Sequence, residues 1–148
     1  MRILYIVDGR SPTARNWIAH FISAGHEVHM ISTGICTRML GLASLHILPV
    51  AFSDAGVPDV SDQAAQVNRR DLLRKLTPMW LRTFVRQWIG PLTVPQSVGK
   101  LQALIEQIQP DLVHAMRYPY EGILAARAEP SAPLIVSVWG NDFTLHAK

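Results

Sequence analysis

A strand, a helix and a second strand are legible in the first 32 residues, and they constrain the fold more than anything after them. Ile3-Leu4-Tyr5-Ile6-Val7 is a continuous run of large apolar residues stopped by Asp8-Gly9. A run without alternation suits a strand covered on both faces, as in a parallel sheet between helices. Ser11-Pro12 follows, an N-cap residue before a proline at the first helical position. The spacing predicts a helix from Pro12 to about Ala24, with Trp17, Ile18, Phe21 and Ile22 on its apolar face and Gly25 as its stop. Glu27–Ser32 is the second strand. Strand, helix and strand in so short a span make a βαβ unit, which requires parallel pairing.

The rest of the chain extends this plan. Leu45–Val50 is the expected third strand, and Ile35–Ala43 before it is open between a helical turn and a loose loop. Between residues 61 and 109 the sequence is helical in tendency but interrupted. Ser61 or Asp62 caps a helix to Leu76, and Thr77-Pro78 starts another to about Ile89. Val94-Pro95 then reads as a linker to a third helix, from about Gln96 to Gln109, whose Val98, Leu101, Leu104, Ile105 and Ile108 share one face. Leu112–Ala115 is a fourth strand, Glu121–Ala128 a short helix, and Leu134–Trp139 a fifth strand. A last helix starts at Asn141 or Asp142 and has barely begun at Lys148, so a piece of something longer is expected. The layout is α/β: a Rossmann-like, doubly wound parallel sheet in one domain over residues 1–148, of expected strand order 3-2-1-4-5.

Composition narrows the function. With 148 residues, 49% hydrophobic and 17% charged, the chain suits a packed globule. The single Cys36 leaves neither an internal disulfide nor a Cys-rich zinc module and makes a reducing, cytoplasmic compartment the natural one. No apolar run approaches the ~20 residues of a spanning helix, and the first residues do not read as a signal peptide. There is no G-x-G-x-x-G, no GxxxxGK[ST] and no nucleophile elbow. His26 and His29 stand three apart at the start of a strand, where they do not share a face, so no metal site and no cofactor are expected.

In an open α/β sheet, ligands bind beyond the carboxyl ends of the strands where the strand order reverses. Three loops lie there. In Asp8–Asn16, Gly9 permits close backbone approach, Ser11 opens a helix N-terminus, and Arg10 and Arg15 add positive charge, a set that suits a phosphate or carboxylate. The alternative is a tight turn with two solvated arginines. In Met116–Gly122, Arg117, Tyr118 and Glu121 suit a hydroxyl-rich ligand, tyrosine offering a flat face and the charged groups hydrogen bonds. Glu121 is equally placed to sit in a first helical turn. His114, just before, is either a buried, hydrogen-bonded core histidine or a ligand contact. In Gly140–Phe143, Asn141 and Asp142 either cap the following helix or face the crevice, where Asp142 would accept a hydrogen bond from a reacting hydroxyl.

Residues 69–100 hold seven basic residues and one acidic one, within a net charge of +3 for the chain. Leu73, Leu76, Trp80, Phe84 and Trp88 keep helical spacing there. That pattern fits a peripheral helix on an anionic membrane surface, or equally a helix packed on the sheet with arginines on its wet face. Nucleic acid is not an expected partner, since no binding motif accompanies the basic residues.

Taken together, the Met1–Val7 strand, Gly25-His26-Glu27-Val28, Pro110-Asp111-Leu112-Val113-His114-Ala115 and Val136-Ser137-Val138-Trp139-Gly140-Asn141-Asp142-Phe143 resemble the N-terminal domain of GT-B glycosyltransferases of the GT4 (group 1) family. The resemblance implies a retaining transferase that moves a sugar from a nucleotide-sugar donor to a glycan or lipid-linked acceptor, usually without a metal. It also implies that this half binds the acceptor while an absent C-terminal domain binds the donor, so that the chain alone is inactive. Arg117, Tyr118, Glu121, His114 and Asn141 would then meet the acceptor, Gly9, Arg10, Ser11 and Arg15 a phosphate, and Asp142 the reacting hydroxyl. Two positions depart from the family pattern: Trp139 stands where many relatives have histidine, and the glycine-rich first loop is reduced to Gly9. The alternatives are a non-catalytic module that recruits a partner transferase to the membrane and a sugar epimerase of the same shape.

Overall fold

A computed structural model describes residues 1–50 and 94–139. The expected helices between 61 and 89, the basic segment apart from Lys100, and Gly140–Phe143 lie outside the described residues. Five strands form one parallel sheet in the order β3-β2-β1-β4-β5: β1 (Arg2–Val7), β2 (Glu27–Ser32), β3 (Ser44–Ile47), β4 (Leu112–Ala115) and β5 (Leu134–Val136). The expected order holds. Among the described residues three α-helices accompany it: α1 (Pro12–Ser23), α2 (Val94–Ile108) and α3 (Ile123–Arg127).

The unbroken apolar character of β1 has its explanation in two cores. Ile3, Tyr5 and Val7 point to one face, where they meet Ala14 and Ile18 of α1 together with Val28 and Met30 of β2. Leu4 and Ile6 point to the other, against Leu101, Ile105 and Ile108 of α2 and Leu124, Ala125 and Ala128 around α3. Alternate residues of a central strand thus both need apolar side chains.

Helix α1 starts as the sequence requires. Ser11 Oγ accepts a hydrogen bond from the Ala14 amide at 3.4 Å, with Pro12 in the first turn where its missing N–H costs nothing. Gly25 ends the helix region at φ +82°, a left-handed conformation that an L side chain resists. Its apolar face is narrower than expected: Ile18 is fully buried, but Trp17 is 49% exposed.

Three boundaries differ from the sequence expectation, two of them because of where a pairing neighbour ends. Strand β3 occupies Ser44–Ile47 rather than Leu45–Val50, since its neighbour β2 ends at Ser32, level with Ile47. Leu48 and Val50 are still buried, against the α2 side. Strand β5 stops at Val136, not Trp139, because β4 ends at Ala115 and has nothing further to pair with. Val94-Pro95, read as a linker, begins α2 instead; a proline is tolerated in a first turn, where the amide has no intrahelical acceptor. Ile35–Ala43 is a loop rather than a helical turn.

Candidate functional site

Register decides which residues share the carboxyl edge of the sheet. Val7 pairs with Ser32, and Ile6 with Ala115, so β1, β2 and β4 finish nearly level. The residues that follow, Asp8, Thr33 and Met116, therefore leave the sheet side by side. Thr33 N–H donates to Val7 O at 2.8 Å and Met116 N–H to Ile6 O at 3.0 Å, which carries the pairing one step past each strand. From β1 the chain proceeds to β2 on one side, while β4 lies on the other. That reversal is the crevice-forming point of an open α/β sheet.

The turn after β1 is tightly filled. Gly9 N–H donates to Ser32 Oγ at 3.0 Å. A Cβ at Gly9 would collide with Cys36 Sγ and come within 2.8 Å of Ser32 Oγ. The glycine is therefore explained by its neighbours as well as by any ligand. Arg10 does not stand free over the turn: its Nε donates to Asp8 Oδ1 at 2.9 Å and its Nη2 to Asp8 Oδ2 at 3.0 Å. Burial alone would raise the Asp8 pKa, but the hydrogen bonds from Arg10 and the charges of Arg10 and Arg117 bring it below the ordinary carboxylate value. Arg15 is used as a staple, its Nη1 donating to Gly9 O at 3.1 Å and Thr37 O at 3.0 Å. Ser11 is the helix cap described above.

The segment after β4 does not begin as the α-helix expected from Glu121. Tyr118–Gly122 is a π-helical turn, and Gly122 N–H reaches back five residues to Arg117 O at 2.7 Å. A Cβ at Gly122 would press against Arg117 O and Val136 Cγ1, at 3.0 and 2.8 Å, so a side chain has no room there. Turns of this kind recur at functional sites. This one turns the Glu121 side chain inward: the residue is only 2% exposed. Its Oε1 accepts a hydrogen bond from Thr33 Oγ1 at 2.8 Å, a contact spanning 88 residues of sequence and crossing the end of β1. Its Oε2 is buried with no hydrogen-bond partner. Burial pushes the Glu121 pKa up, helped by the Asp8 charge and opposed by Arg117, its own amide and Thr33.

Arg117 and Tyr118 flank this buried acid nearer the surface, Arg117 part-buried and Tyr118 51% exposed. Of the two sequence readings of His114, core histidine or acceptor contact, its position matches the core one. It is 6% exposed, shares a 2.8 Å hydrogen bond between Nε2 and Ser137 Oγ, and packs its ring 5.3 Å from that of Tyr5. Burial lowers its pKa, as expected for an imidazole kept neutral beneath α1. Trp139 packs against the α1-side core. Asn141 and Asp142 lie outside the described residues.

The structure thus gathers Gly9, Arg10, Arg117, Tyr118 and Glu121 at one edge, with Asp8 and Thr33 among them. The sequence reading gave those last two no role, although both stand directly after a strand that ends at the crevice. Among the described residues no group of three or more His, Cys, Asp or Glu side chains could hold a metal ion, and no helix is long and apolar enough to cross a membrane.

Comparison with known proteins yields no match among curated sequences. The family described as glycosyl transferase 4-like domain, however, matches residues 8–148, nearly the whole chain and all of the edge just described. The chain therefore belongs to the glycosyl transferase 4-like family, as an N-terminal domain of the group 1 glycosyltransferases.

Proposed function

We infer that this chain is the acceptor-binding half of a retaining glycosyltransferase, in which a second α/β domain presents a nucleotide-sugar. The observation that supports this reading is the convergence of two loops, after β1 and after β4, at the strand-order reversal of a glycosyltransferase-family sheet. One loop brings a closed Asp8–Arg10 pair and the N-terminus of α1. The other brings an exposed tyrosine face beside a guanidinium. Flat aromatic faces and fixed polar groups are what a ring of hydroxyls requires. Tyr118 stacks the acceptor sugar and Arg117 bonds its polar groups. Asp142, assigned on sequence grounds, accepts a hydrogen bond from the acceptor hydroxyl that attacks the donor. Glu121 is too deeply set to touch the acceptor directly and acts on it through Arg117.

Isothermal titration of the 148-residue chain with uridine, guanosine and adenosine diphosphates tests this division. The expected result is no saturable heat, or a Kd no tighter than about 1 mM, equivalent to roughly 4 kcal/mol of binding. A micromolar Kd for any of the three would assign the donor to this half and overturn the reading.

A further inference from the structure

Four charged side chains meet at the end of β1, and three of them are accounted for within the molecule. Asp8 and Arg10 form a two-point ion pair whose members are 14% and 21% exposed, so their charges cancel in place. Glu121 is enclosed, with Oε1 bonded to Thr33 and Oε2 unpartnered. A carboxylate with a bare, buried oxygen is costly, and the neutral acid is the form such a place favours. The fourth is Arg117. Its charge acts on both Asp8 and Glu121, yet among the described residues its guanidinium makes no hydrogen bond to the protein. Among the described residues, the five donors of this permanently charged, part-buried group have no protein acceptor.

We propose that Arg117 is the receptor for a phosphate-class oxyanion carried by a substrate, bound where the loops after β1 and β4 meet. The inference rests on the acceptor-half reading for its biological setting but not for its chemistry. A guanidinium presents paired N–H groups that match a phosphate two at a time. The neighbours are arranged so that its charge is not already spent. Arg10 neutralises Asp8, Thr33 satisfies one oxygen of Glu121, and enclosure of Glu121 favours its neutral form, which adds no negative charge. Arg15, which the sequence favoured for this role, is tied to the carbonyls of Gly9 and Thr37 instead. The anion belongs either to a phosphorylated acceptor or to the donor diphosphate, and the two are separable by competition.

The test is amide-resolved NMR titration of the full chain with sulfate, whose charge does not change over the working pH range. Wild type is expected to bind saturably, with shifts concentrated at Gly9, Arg117 and Gly122. Arg117→Gln is expected to weaken sulfate about tenfold or more, and Arg117→Lys by less, since it keeps the charge and loses the fork. Arg15→Gln should change affinity less than about twofold. In wild type the affinity falls as pH rises and Glu121 ionises beside Arg117; in Glu121→Gln that fall is absent. Sulfate binding by a folded Arg117→Gln that equals wild type overturns the proposal. So does a several-fold gain in Glu121→Gln under acidic conditions, which would mean the acid was ionised all along. Displacement of sulfate by glucose 1-phosphate but not by uridine diphosphate assigns the anion to the acceptor, and the reverse assigns it to the donor. Tight uridine diphosphate binding that Arg117→Gln abolishes would contradict the acceptor-half reading while leaving the oxyanion site standing.

Discussion

Replacing Leu101 by alanine is expected to cost about 2–5 kcal/mol of unfolding free energy, the range for truncating a fully enclosed leucine. Leu101 is 0% exposed and sits among Leu4, Ile6, Ile31 and Val113, where it fastens α2 to three adjacent strands. Because those strands are β1, β2 and β4, the lost contacts lie directly beneath the crevice. Urea titration of wild type and Leu101→Ala, with the slope of the transition compared between them, measures the loss. Leu40→Ala is the matched control: Leu40 is 98% exposed, and its removal is expected to change stability by no more than about 0.5 kcal/mol. Equal, small effects for both leucines would mean that α2 does not cover this face of the sheet.

Replacing Thr33 by valine keeps the side chain's shape and removes the hydroxyl that serves Glu121. With Oε2 already unpartnered, a 2% exposed acid would then lose its hydrogen bond from another side chain. The expected cost is about 1–3 kcal/mol, the penalty for stranding a buried polar group. In a Glu121→Met background there is nothing left to strand, so the same Thr33→Val change should cost little, and the difference is the coupling between the two residues. The pH dependence has a definite sign. Burial raises the Glu121 pKa in the folded state, so the folded chain holds that proton more tightly than the unfolded one. The stability this contributes is complete below the ordinary carboxyl value of about 4.3 and is lost as pH rises through the raised folded value. Glu121→Gln removes the titration. Its stability relative to wild type should therefore increase with pH across that window, read by thermal unfolding at a series of pH values. A constant difference would place the Glu121 carboxyl in water.

These expectations depend on different kinds of information, which explains what the sequence disclosed. Strand β1 is legible because a centrally buried strand must be apolar on both sides, and its own run displays that. Ser11-Pro12 and Gly25 punctuate α1 through local backbone chemistry, which a linear reading detects. The ends of β3 and β5 are set by where a neighbour stops, at Ser32 and Ala115, and such a limit leaves no mark on the strand's own residues.

The site divides along the same line. That the loops after β1 and β4 meet follows from strand order alone. The Asp8–Arg10 pair, two residues apart, was within reach of a local reading, which instead assigned Arg10 to a ligand. The burial of Glu121 was not within reach. It depends on a π-turn fixed by the absence of room for a side chain at Gly122 and on a hydroxyl 88 residues away. Arg117 stands out as the anion receptor only after its neighbours' charges have been assigned to one another.

The central claim is that a sugar acceptor is held over the carboxyl edge of the sheet, between the loops following β1 and β4. Amide chemical-shift mapping of the 148-residue chain against a panel of mono- and disaccharides at tens of millimolar tests it most directly. The account predicts saturable shifts at Gly9, Thr33, Arg117, Tyr118 and Gly122, with the opposite edge around Arg2, Glu27 and His29 unmoved. Saturable shifts at that opposite edge, or on the outer surface of α1, with Arg117 and Tyr118 unaffected, would contradict it.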